Sequence, residues 1–202
     1  MAIRESTEQR LLDAADDLFF TRGIAATPID AVIERAGVSA ATLYRGFPSK
    51  EALVAAALER RHLEWIETWD AAIARAADDE ERALAVFDAL DDFRDRPIGS
   101  RWCAFLGTAA EYGDAPPEVA EAVRRDSDAL RSRLRNLAAP LVAPRSRDDR
   151  RRPDDGTDHR ASRLGDELLL LVTGDLAMRL REPGHRTDTA RGIARVLIAS
   201  AR

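Results

Sequence analysis

Residues Gly37 to Glu51 read GVSAATLYRGFPSKE, and the fold is decided by what these fifteen positions can do. Gly37 can adopt the left-handed conformation that closes a helix. Only Val38 separates it from Ser39, a residue type that caps the start of the next helix, which runs to about Phe47. At 100° per residue, Leu43 and Phe47 share one face of that helix, flanked by Ser39 and Ala40. Ala41 and Arg45 point the opposite way, with Thr42 and Tyr44 on the shoulders. Leu43 and Phe47 are therefore expected in a core, leaving an outward face that is small, hydroxylated, aromatic and cationic. Pro48 forbids continuation of the helix, and Ser49 can cap another at once.

Upstream, Ser6-Thr7-Glu8-Gln9 has the spacing of a capping box, after which Leu11, Ala14, Ala15, Leu18 and Phe19 repeat at helical spacing. Gly23 is placed to end this first helix. Thr27-Pro28-Ile29-Asp30 then combines a good N-cap, a proline suited to the first helical position and an acid in the first turn. Ile29, Val32, Ile33 and Ala36 form the inner stripe of the second helix, which Gly37 terminates. Two short helices joined by a tight glycine-containing turn make a helix-turn-helix pattern.

Downstream, the helix capped by Ser49 extends to about Ala76 and spans about 40 Å, enough to belong both to a small N-terminal domain and to a larger body. Helices follow over 79–94, near 100–112, and from Pro116 or Pro117 to about Ala139. No stretch alternates as a strand does, so the chain reads as all-α. Residues 143–161 carry mixed charge, two prolines and little apolar content, which reads as a mobile loop rather than a nucleic-acid tail because the acids nearly cancel the arginines. Leu164 to Leu180 is apolar on every side around Leu168–Val172. Thr187 to Ala201 carries one continuous apolar stripe that includes Ile193 and Leu197. Pairing both helices with their symmetry mates into a four-helix bundle would cover them, which puts Leu168, Leu171, Val172, Ile193 and Leu197 in a dimer interface.

Composition narrows the class. The formal charge of −5 argues against indiscriminate affinity for nucleic acid. Lys50 is the lone lysine in an arginine-rich chain, so an individual arginine carries less meaning than usual. The single cysteine, Cys103, gives no disulfide framework or thiolate cluster, which suits a reducing cytoplasm, and it reads as a small buried hydrophobe rather than a redox sensor. The N-terminus lacks the apolar core of a signal peptide, and no apolar run reaches the ~18–20 residues of a membrane span. His62, His159 and His185 show no metal-ligand spacing. Neither a glycine-rich phosphate loop nor a nucleophile elbow is present, so no enzyme, metal or cofactor is expected.

The string Ile33-Glu34-Arg35-Ala36-Gly37-Val38-Ser39, followed by Thr42-Leu43-Tyr44, Phe47 and Ser49-Lys50-Glu51, closely resembles the helix-turn-helix signature of the TetR family of bacterial transcription regulators. The specific likeness covers roughly a quarter of the chain, and the remainder is similar in plan. Trp102-Cys103-Ala104-Phe105-Leu106 also looks like a recurring feature of one branch. The resemblance implies a three-helix DNA-binding domain over 1–52, joined by a long helix to an effector-binding and dimerisation domain over 53–202. It also implies a homodimer on a palindromic double-stranded operator, usually a repressor, released by a small molecule. Carried over by position, Thr27 caps the second helix and meets a phosphate, Thr42 and Tyr44 contact backbone or base edges, and Lys50 pairs with a phosphate. Gly46 departs from the pattern, since the family usually has histidine or tyrosine there.

The first fifty residues hold one more acid than base, so position must supply what net charge does not. Helix N-termini at Thr27 and Ser49 offer backbone amides to phosphate. Arg45 can bind guanine bidentately, and Ala41 and Thr42 suit thymine methyl groups. Ser39, Ala41, Thr42, Tyr44, Arg45, Lys50 and Thr27 are thus the expected DNA contacts, the lesser alternative for Tyr44 being to pack on the first helix with its hydroxyl exposed. Trp65, Trp69, Phe87, Trp102, Phe105 and Tyr112, on consecutive helices, can line a pocket for an apolar effector or simply pack the core. The competing reading is a helical ligand-binding dimer whose head has weak or lost DNA affinity.

Overall fold

The computed structural model describes residues 3–96, 103–143, 155–182 and 184–201. Among them the chain forms nine helices and no strand: α1 (Glu5–Arg22), α2 (Ile29–Ala36), α3 (Ala40–Gly46), α4 (Lys50–Arg75), α5 (Asp79–Arg94), α6 (Ala104–Glu111), α7 (Pro117–Val142), α8 (Asp155–Arg181) and α9 (Asp188–Ala201). The all-α reading holds.

Two compact units share these helices. One comprises Met1–Glu64 and Pro97–Asp126, the other Trp65–Arg96 and Ser127–Arg202, and both α4 and α7 run through the division. The first unit therefore reaches well past residue 52. Val54, Ala57 and Leu58 of α4, Ala104 and Phe105 of α6, and Val119 and Ala122 of α7 lie in one core with Leu11, Phe19, Phe20 and Leu43. Three short helices bury too little apolar surface to stand alone, and these added segments supply the missing side of the core.

Within this unit α1 begins one residue before Ser6, with Arg4 at the cap and no side-chain cap bond, so the expected capping box does not form. The amides of Thr7 and Glu8 bond instead to the Arg4 carbonyl, at 2.9 and 3.0 Å. Ile3 draws the chain in: it packs on the head core, and a Cβ on Gly46 would overlap its side chain. The space left by Gly46 is filled from the N-terminus. At Gly37, φ 63° and ψ 43° place the glycine in the left-handed region. Its amide donates to Glu34 at 3.1 Å and that of Val38 to Ile33 at 3.3 Å, the paired closure of a Schellman motif.

In the second unit the core gathers Trp69, Leu84, Phe87, Leu134, Leu164, Leu168, Val172 and Ile198. α7 continues beyond Ala139 through Pro140, because burial of Leu141 and Val142 offsets the hydrogen bond a proline cannot donate. α8 begins at Asp155, so the later part of the segment expected as a loop is helical. Ala161 packs in the core, and Arg135 pairs with Asp158. Residues 144–154 lie outside the described residues. Leu168 and Val172, expected at a dimer interface, are fully buried inside the protomer, in the core of the second unit. A Cβ on Gly165 would sit 3.0 Å from both Cα and N of Arg135, so α7 and α8 approach almost backbone to backbone there. α9 is tied to α5 through Glu81, which accepts from Arg191 at 2.9 Å and from Arg195 at 3.1 Å.

Two substitutions test these close approaches. Gly165→Val drives branched atoms into the α7 backbone and is expected to cost about 1–3 kcal/mol in chemical denaturation; an unchanged midpoint would show that the helices stand further apart. Gly46→Ala is expected to destabilise the wild-type chain by unseating Ile3, yet to stabilise the Ile3→Ala chain by up to ~1 kcal/mol through helix propensity. Equal effects in both backgrounds would remove Ile3 from the account.

Candidate nucleic-acid interface

The turn between α2 and α3 is three residues long, Gly37 to Ser39, and its chemistry fixes how α3 is presented. Ser39 caps α3: its Oγ accepts from the Thr42 amide at 3.2 Å and lies 2.9 Å from the Thr42 hydroxyl. The two hydroxyls thus hold one another, leaving Thr42 half-buried beside the cap. Leu43 is fully buried and Phe47 nearly so, anchoring the short helix by the face the sequence pattern assigns to the core. Ala40, Ala41, Tyr44 and Arg45 are exposed. Tyr44 is 49% accessible, which places its ring outward rather than in the core of the head. Among the described residues Arg45 forms no hydrogen bond or ion pair, so its guanidinium keeps all its donors for an external acceptor.

Other cations nearby are engaged. Arg35 donates to Asp17 at 2.8 Å, and Arg10 reaches the Gly37 carbonyl at 3.5 Å. Lys50 differs from expectation. Its Nζ donates to the Ile24 carbonyl at 2.5 Å and lies 5.7 Å from the centre of the Phe19 ring, directed into the protein. Ser49 does cap α4, accepting from the Ala52 amide at 2.9 Å.

Thr27 is the second correction. Pro28, not Thr27, occupies the cap position of α2, without a side-chain cap bond. Thr27 is 2% exposed, and its hydroxyl donates inward to the carbonyls of Gly23 at 2.7 Å and Leu18 at 3.3 Å. It ties the start of α2 to the end of α1. One residue of the head went unread in the sequence: Glu111, whose carboxylate accepts from the amides of Ile24 at 3.1 Å and Ala25 at 2.7 Å. A charged residue on the last turn of a distant helix gives no local signal of such a bond.

The aromatic set is divided between the two cores. Trp65, Trp69 and Phe87 belong to the second unit, where Trp65 lies 5.5 Å from Trp69 and meets Phe93 edge-on at 5.8 Å. Phe105 and Tyr112 belong to the first, where His62 meets Phe105 edge-on at 6.4 Å and bonds Asp126 at 2.9 Å. Trp102 lies outside the described residues. Burial pushes the Cys103 thiol up from its ordinary value, with the Asp126 carboxylate adding to the shift, the reverse of what an activated thiolate needs. Among the described residues no group of His, Cys, Asp and Glu is placed to hold a metal ion, and no helix is long and apolar enough to cross a membrane.

The sequence model described as "Bacterial regulatory proteins, tetR family" matches residues 11–57, the segment that contains α2, α3 and the turn between them. The HTH-type transcriptional activator FasR of Mycolicibacterium smegmatis is 30% identical over 151 residues, 69% of this chain and 69% of that protein. The uncharacterised HTH-type transcriptional regulator YvkB of Bacillus subtilis is 43% identical over 54 residues, 27% of this chain and 29% of that one. Among solved structures, SCO4454, a TetR-family transcriptional regulator from Streptomyces coelicolor, superposes with a TM-score of 0.81 at 26% identity, covering 98% of this chain and 90% of that one. These relatives are regulators, not enzymes. With its capped helix-turn-helix, its helical body and this breadth of likeness, the chain belongs to the tetR family of bacterial regulatory proteins and is a transcriptional regulator with a DNA-binding helix-turn-helix head.

Proposed function

We propose that the chain binds a palindromic operator as a homodimer, acts as a repressor and leaves DNA when an apolar small molecule binds its second unit. The observation that carries the DNA reading is the outward face of α3. Its exposed Arg45 forms no hydrogen bond or ion pair among the described residues and stands beside Ala41, Thr42 and Tyr44 on a helix anchored by Leu43 and Phe47. A free guanidinium on a fixed helix suits bidentate recognition of guanine, and the small neighbours suit thymine methyls. FasR is named an activator, so the direction of control is the part of this reading that depends on where the operator lies.

The dimer reading rests on α8 and α9, which pack on one another. Leu170 is 73% exposed on α8, and Ile193 and Val196 are 46% and 68% exposed on α9. With Leu168 and Val172 occupied inside the protomer, these residues together with Leu171 and Leu197 form the apolar surface that a second copy would cover. For the effector, Trp65 and Trp69 supply an aromatic wall. Among the described residues the buried Trp69 indole N–H has no acceptor, which favours a ligand that carries a hydrogen-bond acceptor on an apolar body.

Arg45→Ala is expected to weaken operator binding by about 1–3 kcal/mol and to relax preference at a single operator position. The measurement is a gel shift on the DNA flanking the chain's own gene, with operator variants. Uniform weakening across the variants would make Arg45 a phosphate contact, and absence of any specific shift by the folded wild type would favour the ligand-binding dimer with a silent head. Val196→Glu is expected to convert the dimer to monomer in light scattering at micromolar concentration and to abolish the shift; a persistent dimer would move the interface elsewhere.

A further inference from the structure

The turn joining α1 to α2 is held from outside the helix-turn-helix on both of its polarities. Glu111, the last residue of α6, accepts from the Ile24 amide at 3.1 Å and the Ala25 amide at 2.7 Å. Lys50, the first residue of α4, donates to the Ile24 carbonyl at 2.5 Å. Beside this pair, both backbone groups of Gly23 are also taken up. The Gly23 amide donates to Phe19 at 3.0 Å, and the Gly23 carbonyl accepts from the Thr27 hydroxyl at 2.7 Å. Gly23 has φ +98°, and the place of a Cβ on it faces both Glu111 carboxylate oxygens at 3.5 Å.

Glu111 stands where a helix least favours an acid, at the negative end of α6. Two charge-assisted bonds from backbone amides outweigh that penalty, and they constrain the residues that lead straight into α2 and from there into α3. We propose that Glu111 and Lys50 are positioning residues for operator binding, gripping the α1–α2 turn so that α6 and α4 set the orientation of the reading helix. The proposal rests on the operator-binding reading above. It also assigns Lys50 a role other than the phosphate contact its place at a helix start suggests.

Charge gives the test its direction. Glu111→Gln removes a negative charge, which on electrostatics alone strengthens binding to DNA; loss of the grip weakens it. Lys50→Met removes a positive charge, and the two roles for Lys50 separate in the salt slope: a lost phosphate contact lowers it by about 0.9 per site, whereas lost positioning leaves it unchanged. The experiment uses the full chain as wild type, Glu111→Gln and Lys50→Met, each confirmed folded by thermal melting. Anisotropy on a fluorescent operator fragment from the gene's own flanking DNA is read across salt concentrations, beside hydrogen–deuterium exchange of the 23–26 turn.

The expected result is faster exchange at Ile24 and Ala25 in Glu111→Gln, with an operator Kd raised about tenfold and an unchanged salt slope in both variants. Unchanged or tighter operator binding by Glu111→Gln would overturn the proposal, and so would unchanged exchange at the turn. A reduced salt slope in Lys50→Met would return that lysine to a phosphate and overturn its half of the grip. Should Glu111→Gln fail to fold, Lys50→Met carries the same test through Kd and slope. If the wild type binds no operator, the functional reading fails and the positioning role with it, while the exchange data still report whether Glu111 holds the turn.

Discussion

A carboxylate buried against two guanidiniums holds the DNA-binding unit in register. Asp16 of α1 is almost inaccessible; Arg61 of α4 donates to it at 3.1 Å, and Arg60 pairs with both Asp16 and Asp13. Arg61 also lies over the Phe20 ring, 5.2 Å from its centre. α3 buries little beyond Leu43 and Phe47, so it has no means of fixing its own direction; it inherits one from α1 and α4. Burial pushes the Asp16 carboxyl above its ordinary value, and its two arginines pull it back only in part. A carboxyl raised in the folded state contributes stability at low pH that is lost as pH rises through its folded pKa. Removal of one partner from such a cluster costs about 3–5 kcal/mol, because it leaves a buried charge uncompensated. What it supplies is a single alignment of α1 on α4.

The second unit solves a similar problem at the junction of α5, α8 and α9. Asp175 is buried and accepts from Arg179 at 3.1 Å and from the His185 ring at 2.8 Å. Arg179 also donates to the Leu90 carbonyl and to Asp91, each at 3.1 Å, and Asp91 accepts from the Thr187 hydroxyl at 2.8 Å. Apart from the Arg179–Asp175 pair within α8, these bonds join α8 to α5 and tie the connection leading into α9 to both. His185 and Thr187, which lead into α9, are therefore fixed by directional bonds. Both units follow one rule: apolar stripes bring helices together, and a buried ionic network selects one of the ways they can pack.

That division explains what the sequence could reveal. Gly37, Ser39 and Ser49 act through bonds to residues three or four positions away, so spacing alone locates the turn and the caps of α3 and α4. Thr27 and Lys50 have residue types that fit a cap and a phosphate contact. Their actual partners, the carbonyls of Gly23 and Ile24, are decided by how α1 meets α2 and α4. The Ser6 cap fails for a related reason, since Ile3 is claimed by the core and carries the helix start with it. Leu168 and Val172 show the limit of periodicity. A helix apolar all round must be covered, but the pattern does not say whether by its own protomer or by another.

The same accounting bears on how an acidic head recognises an acidic polymer. Arg35 is paired with Asp17, Arg10 reaches the Gly37 carbonyl, Arg60 and Arg61 are bound to Asp13 and Asp16, and Lys50 bonds the Ile24 carbonyl. Cations spent inside the fold release no counterions from DNA, so the sequence-independent part of the binding energy is small. The proposed recognition must then lean on direction rather than charge. A guanidinium left free at Arg45 is useful only if α3 points it at one base, and a helix as short as α3 points accurately only while the turn before α2, the glycine at 37 and the α1–α4 alignment all hold. In such a head, affinity and rigidity are the same property, and the proposed second copy would add the contacts that charge does not.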